Sequence, residues 1–127
     1  MQAMTRNILF VAIGGMLGSV GRFVVVSLIT SSLPSTVPFG TFFVNVVGCF
    51  GIGAAMGIAD RNAWFDEAWL LFLTAGVCGG FTTFSAFALE NVGLLQDKSY
   101  GTFAAYGIAS FVVCIVAALA GLAIFRG

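Results

Sequence analysis

The chain has 127 residues, 60% of them hydrophobic and 8% charged, with five basic and five acidic side chains and no histidine. Soluble domains carry about 25% charged residues, so this composition cannot build a water-facing surface, and a mean hydropathy of +1.09 makes the bilayer the expected solvent. Zero net charge gives no nucleic-acid footprint or polybasic lipid patch, and the missing histidine removes the commonest metal ligand and the commonest general base at neutral pH.

The first apolar stretch runs from about Ile8 to Ile29 and holds one charge, Arg22. It is too long for the apolar region of a signal peptide and has no small-residue cleavage site after it, so it is expected to remain in the mature protein. The second, about Gly40 to Ala59, is uncharged and carries Thr41 and Asn45 one helical turn apart. The third, about Ala68 to Leu95, carries Thr82, Thr83 and Ser85 among Phe84 and Phe87, and then Glu90. The fourth, about Gly101 to Phe125, is uncharged and places Tyr106 and Ser110 on one face. Each reaches the ~20 residues that cross the hydrocarbon of a bilayer. The connections are short, so the expected fold is an all-α membrane protein: four transmembrane helices in a single domain spanning residues 1–127.

The third stretch has roughly 28 residues, about 42 Å of helix at ~1.5 Å per residue, which overshoots the bilayer core. A break is expected mid-membrane at Gly79-Gly80-Phe81-Thr82-Thr83. Glycines tolerate non-helical dihedrals and hydroxyls satisfy freed backbone groups. Such a break exposes carbonyls that suit a small cation and N–H groups that suit an anion.

Small residues recur at four-residue spacing, as in Gly14 with Gly18, Gly15 with Ser19, Gly53 with Gly57, and Gly76 with Gly80. Such faces let helices approach closely in lipid. Most are expected to pack within the chain, although four helices alone rarely enclose a polar path and oligomerisation is the simplest remedy. Arg6, Arg61 and Arg126 fall on the side of the termini, against Lys98 on the other. That small bias leans toward termini inside but leaves insertion in both orientations open. Cys49, Cys78 and Cys114 all lie in apolar stretches and read as small buried hydrophobes rather than a disulfide framework or zinc site.

Polar groups inside a membrane are costly and mark function. Singly, each has a structural reading: Ser and Thr bond back to their own helix, Asn bridges helices, Arg22 snorkels. Together they form a donor-rich set with no acid before Glu90, which suits an anion better than a cation.

At these residues the chain resembles the CrcB/Fluc fluoride channel family. Gly14-Gly15-Met16-Leu17-Gly18 to Arg22 is similar to the family's GGxxGxxxR stretch, Gly40-Thr41 to Asn45 and Gly48 to GTLxxNxxG, and Gly76 to Phe87 to GxxGGxTTFSTF. The resemblance runs nearly end to end. It implies an antiparallel, dual-topology homodimer in the cell inner (plasma) membrane, giving passive fluoride export and fluoride resistance through two pores. It implies a structural Na⁺ at the dimer centre, held by the backbone carbonyls of Gly79 and Thr82. It implies pore roles for Phe84, Phe87, Asn45, Ser110, Tyr106, Thr83, Thr41 and Arg22. Ala86 departs from the family's Thr, Cys114 stands where some relatives have Ser, and Phe42 and Phe43 are bulkier than usual.

Fluoride is small and strongly hydrated, so a pore must replace its water with donors. Asn45, Ser110, Thr83 and Tyr106 offer them, Arg22 raises the local positive potential, and the positive edges of Phe84 and Phe87 can line one wall. The rival reading is a small four-helix dual-topology proton-coupled exporter of the multidrug type. That mechanism needs an acid deep in the first span, where this chain has Arg22. A non-transporting assembly subunit would use the polar residues only to join helices. An enzyme is not expected, since no histidine is present and no cysteine has an activating partner.

Overall fold

A computed structural model describes residues 1–127, and it is helical throughout, with no strand. Helix α1 spans Gln2–Ser32 and α2 spans Phe39–Arg61. The third span comprises α3 (Glu67–Leu71), a π-helical turn (Phe72–Cys78), α4 (Gly79–Phe81) and α5 (Phe84–Gln96). Helix α6 spans Tyr100–Arg126. Four helical stretches, Gln2–Ser32, Phe39–Arg61, Glu67–Gln96 and Tyr100–Arg126, are long and apolar enough to cross a membrane.

Helix α1 begins before the apolar stretch does, because Gln2, Thr5, Arg6 and Asn7 are polar but compatible with helix. Hydropathy marks only the part that hydrocarbon accepts. The helix ends ahead of Pro34, and α2 starts directly after Pro38; neither proline can continue a helix interior. Asn62 closes α2 by donating its side-chain amide to the Ile58 carbonyl at 2.8 Å. Helix α5 ends at Gln96, and two residues on Lys98 has a φ of 59°, the one left-handed non-glycine conformation. There the Ser99 N–H bonds the Leu94 carbonyl at 2.8 Å and the Asp97 N–H the Gly93 carbonyl at 3.0 Å, which satisfies otherwise orphaned end carbonyls.

The helices pack as two parallel pairs, each crossing at glycine. A Cβ built at Gly14 would lie 2.5 Å from the Phe72 carbonyl oxygen, and one at Gly18 would lie 2.2 Å from that of Val77. Contacts therefore advance together along α1 and the third span. From the other side, Gly76 rests against Gly14 and Gly80 against the Gly15 carbonyl. In the second pair a Cβ at Gly53 would lie 2.0 Å from the Ala118 oxygen and one at Gly57 would lie 2.9 Å from the Leu122 oxygen. The spaced glycines thus pack within the chain, except Gly15, whose Cβ direction is empty.

Only 16 of 127 residues are buried, too few for a water-soluble core. Large apolar side chains such as Phe23, Phe43, Leu89 and Ile108 face outward on all four spans, as a lipid solvent permits. Exposed Trp64 and Trp69 lie toward one end and Tyr100 toward the other, where aromatic rings sit at membrane interfaces.

Candidate functional site

The register of α2 against α6 builds the site. Gly53 faces Ala118 and Gly57 faces Leu122. Stepping back one helical turn on both helices pairs Cys49 with Cys114; further turns pair Asn45 with Ser110 and Thr41 with Tyr106. The crossing therefore passes from glycine, through thiols, to a polar ladder.

Thr41 and Tyr106, both almost wholly buried, meet at Glu90. The Thr41 hydroxyl donates to Glu90 Oε2 at 2.6 Å and the Tyr106 hydroxyl to Oε1 at 2.8 Å. Each oxygen of the carboxylate thus has its own donor, which is how a charge within a span is compensated. A cleft of about 190 Å³ reaches Thr41 and Glu90 beneath the α1–α2 connection, past Thr30, Ser35 and Thr36.

Asn45 holds the segment between α4 and α5. There Thr82 (φ −90°, ψ 159°) and Thr83 (φ −151°, ψ 116°) are extended. The Thr83 N–H donates to Asn45 Oδ1 at 2.7 Å, and Asn45 Nδ2 donates to the Thr83 carbonyl at 3.2 Å. Thr83 also caps α5, its hydroxyl accepting the Ala86 N–H at 3.1 Å. Thr82 turns back, bonding the Cys78 carbonyl through both its N–H and its hydroxyl. On the opposite side Arg22 Nε donates to the Gly80 carbonyl at 2.9 Å.

A groove of about 650 Å³ runs between this segment, α5 and α6. Asn45, Thr82, Thr83, Phe84, Phe87 and Ser110 line it, joined by Asn91, Cys49 and Cys114. Phe84 is 80% exposed. Its ring centroid lies 5.5 Å from that of Phe87 at an interplanar angle of 42°, and Phe87 lies 5.0 Å from Tyr106 at 51°. The Ser110 hydroxyl and Asn91 Oδ1 are buried without a protein partner. A donor left unpaired on a groove wall is available to a ligand.

The family model described as "CrcB-like protein, Camphor Resistance (CrcB)" matches residues 9–122. The chain belongs to the CrcB-like family. Relatives named "Fluoride-specific ion channel FluC" include one from Azobacteroides pseudotrichonymphae, 44% identical over 93% of this chain and 94% of the relative. One from Caulobacter vibrioides is 42% identical over 95% and 96%, and one from Agrobacterium fabrum is 43% identical over 94% and 96%.

In this CrcB-like chain the eight residues expected to line a pore do not form one surface. Asn45, Thr83, Phe84, Phe87 and Ser110 share the groove. Thr41 and Tyr106 stand one rung further along, committed to Glu90. Arg22 lies outside the groove, bonded to the Gly80 carbonyl of α4. Gly79 is exposed and lies outside the groove. Two backbone carbonyls here lose their helical donors. The α-helical partner of the Gly79 carbonyl would be the Thr83 N–H, which Asn45 takes. That of the Thr82 carbonyl would be the Ala86 N–H, which the Thr83 hydroxyl takes. Both carbonyls named for sodium are those whose helical donors are diverted.

Beside the expected residues, Glu90 joins the ladder, and Asn91, Cys49 and Cys114 line the groove. Asn91 had a visible signal, since Phe84, Phe87 and Asn91 fall on one helical face, and Asn91 Nδ2 donates to the Phe87 carbonyl at 2.9 Å. Cys49 had another, as the next turn after Thr41 and Asn45. The partners of Glu90 had none, because they come from two other helices.

Proposed function

We propose that the chain is a fluoride channel of the plasma membrane, conducting the anion passively and so exporting it from the cell. The groove carries this reading: the unpaired Ser110 hydroxyl, the Asn45 amide and the paired rings of Phe84 and Phe87 all line it. Fluoride leaving water needs donors at close range. Ser110 supplies a free hydroxyl, and Asn45 keeps one amide hydrogen beyond the one bonded to Thr83. The rings of Phe84 and Phe87 carry positive edges, which attract an anion that meets them edge-on. Thr41 and Tyr106 donate their hydrogen bonds to Glu90 and reach the anion only by leaving it. The names of the relatives support fluoride as the ion.

The functional unit in this reading is an antiparallel, dual-topology homodimer, in which a second copy covers the exposed Phe84 and closes the groove into a pore. The extended Thr82–Thr83 segment is then a mid-membrane break of the third helix at the subunit interface. The Gly79 and Thr82 carbonyls of both copies hold a structural Na⁺ there.

The test is fluoride and chloride efflux from liposomes containing the purified protein, read with selective electrodes. Fluoride efflux without chloride efflux is expected, and no fluoride efflux would end the channel reading. Replacing Na⁺ with a larger cation should lower the rate. An unchanged rate would remove sodium from Gly79 and Thr82.

A further inference from the structure

The polar ladder does not stop at Asn45 and Ser110. Its next rung is Cys49 on α2 and Cys114 on α6, in the register that Gly53 with Ala118 and Gly57 with Leu122 impose. Both thiols line the groove, are only partly buried and are free of disulfides. Cys78 stands apart from the groove, beside Gly51, where a built Cβ would lie 3.2 Å from its sulfur. No third His, Cys, Asp or Glu completes a cluster. That decides the ligand class. Zinc in a structural site takes four such ligands, whereas soft cations prefer thiolates and are satisfied by two on opposite sides.

We propose that Cys49 and Cys114 form a two-thiol site for a soft, thiophilic cation, set in the wall of the groove. Binding of Hg²⁺ forms two S–Hg bonds and releases two thiol protons to solvent, with no change of oxidation state. Two thiols presented by packed helices act as one ligand, so the second bond forms at high effective concentration. The bound ion occupies the groove that also holds Phe84 and Ser110, and it stops passage along it. Metal binding is read without transport, so it stands or falls apart from the channel reading.

Purified full-length protein is mixed with equimolar Hg²⁺, washed with a small excess of a monothiol to strip singly held metal, desalted, and assayed for mercury. The wild type and Cys78→Ala should each retain one ion per chain. Cys49→Ala, Cys114→Ala and the milder Cys114→Ser should retain none, with circular dichroism confirming their fold. Retention by any of these three, loss in Cys78→Ala, or no retention by the wild type would overturn the site. In liposomes, Hg²⁺ should abolish fluoride efflux by the wild type and leave the Cys49→Ala, Cys114→Ala double variant at whatever rate it shows without metal. Efflux undiminished in protein that retains mercury would overturn the placement on the ion's route. Efflux missing before metal is added would count against the channel alone.

Discussion

Asn45 does two things with one side chain. It replaces the helical partners of Thr83 on both backbone atoms, and it offers its remaining amide hydrogen to the groove. Asn45→Leu should therefore leave a backbone N–H and C=O unpaired, at about 1–3 kcal/mol for each buried group, and abolish fluoride efflux. Asn45→Asp keeps the acceptor for the Thr83 N–H, so it should unfold at a temperature between those of the wild type and Asn45→Leu, yet conduct poorly because a carboxylate repels the anion. Thermal unfolding in detergent separates the two effects; equal stability of all three proteins would show that Asn45 does not hold the segment. Glu90 is the second such residue. Tyr106→Phe removes one donor from its carboxylate and should cost about 1–3 kcal/mol, more than a lipid-facing Tyr100→Phe in the same assay. The residue types of the site were legible in the sequence, because a polar group inside an apolar stretch stands out. Their partners were not. Whether Thr41 donates to an ion or to Glu90 depends on which helix faces it, and hydropathy carries no such information.

At the scale of elements, glycine sets the distances between helices. The parallel crossings leave no room for a Cβ at Gly18 or Gly53, since the obstructing atoms are the backbone carbonyls of Val77 and Ala118 rather than movable side chains. Gly18→Ala and Gly53→Ala should each destabilise by about 1–3 kcal/mol through overpacking. Gly101→Ala, which meets nothing within 4 Å, should be neutral or stabilising, as alanine is the better helix former. Melting temperatures of the three variants test this, and a drop for Gly101→Ala matching the others would refute the assignment. The four-residue spacing of these glycines foretold close crossings, but not that Gly14 meets Phe72 while Gly53 meets Ala118. The π-helical turn at Phe72–Cys78 left no trace in composition. It lies where contacts on α1 step from Phe72 to Val77 and then Phe81, and an extra residue in the turn keeps the third span on the same face of α1.

For the whole molecule the distribution of charge governs orientation in the membrane. The end with both chain termini carries Arg6, Arg61 and Arg126, but Arg6 pairs with Asp66 at 3.3 Å and Arg126 with Asp60 at 3.1 Å. These pairs are about half exposed and hold little energy; their interest is that insertion machinery counts basic residues, which here differ by only three to one between the ends. A chain so weakly biased should insert both ways, and a reporter fused after Gly127 should give signal on both faces of the membrane. Adding basic residues at Ser31, Ser32 and Ser99 should fix one orientation, and adding them at Asn62 and Trp64 should fix the other. If the pore is completed by an oppositely oriented copy covering Phe84, each fixed version should fail to export fluoride alone, and the two together should restore export. Export by either version alone would show that parallel copies, or a single chain, suffice, and the antiparallel dimer would have to be abandoned.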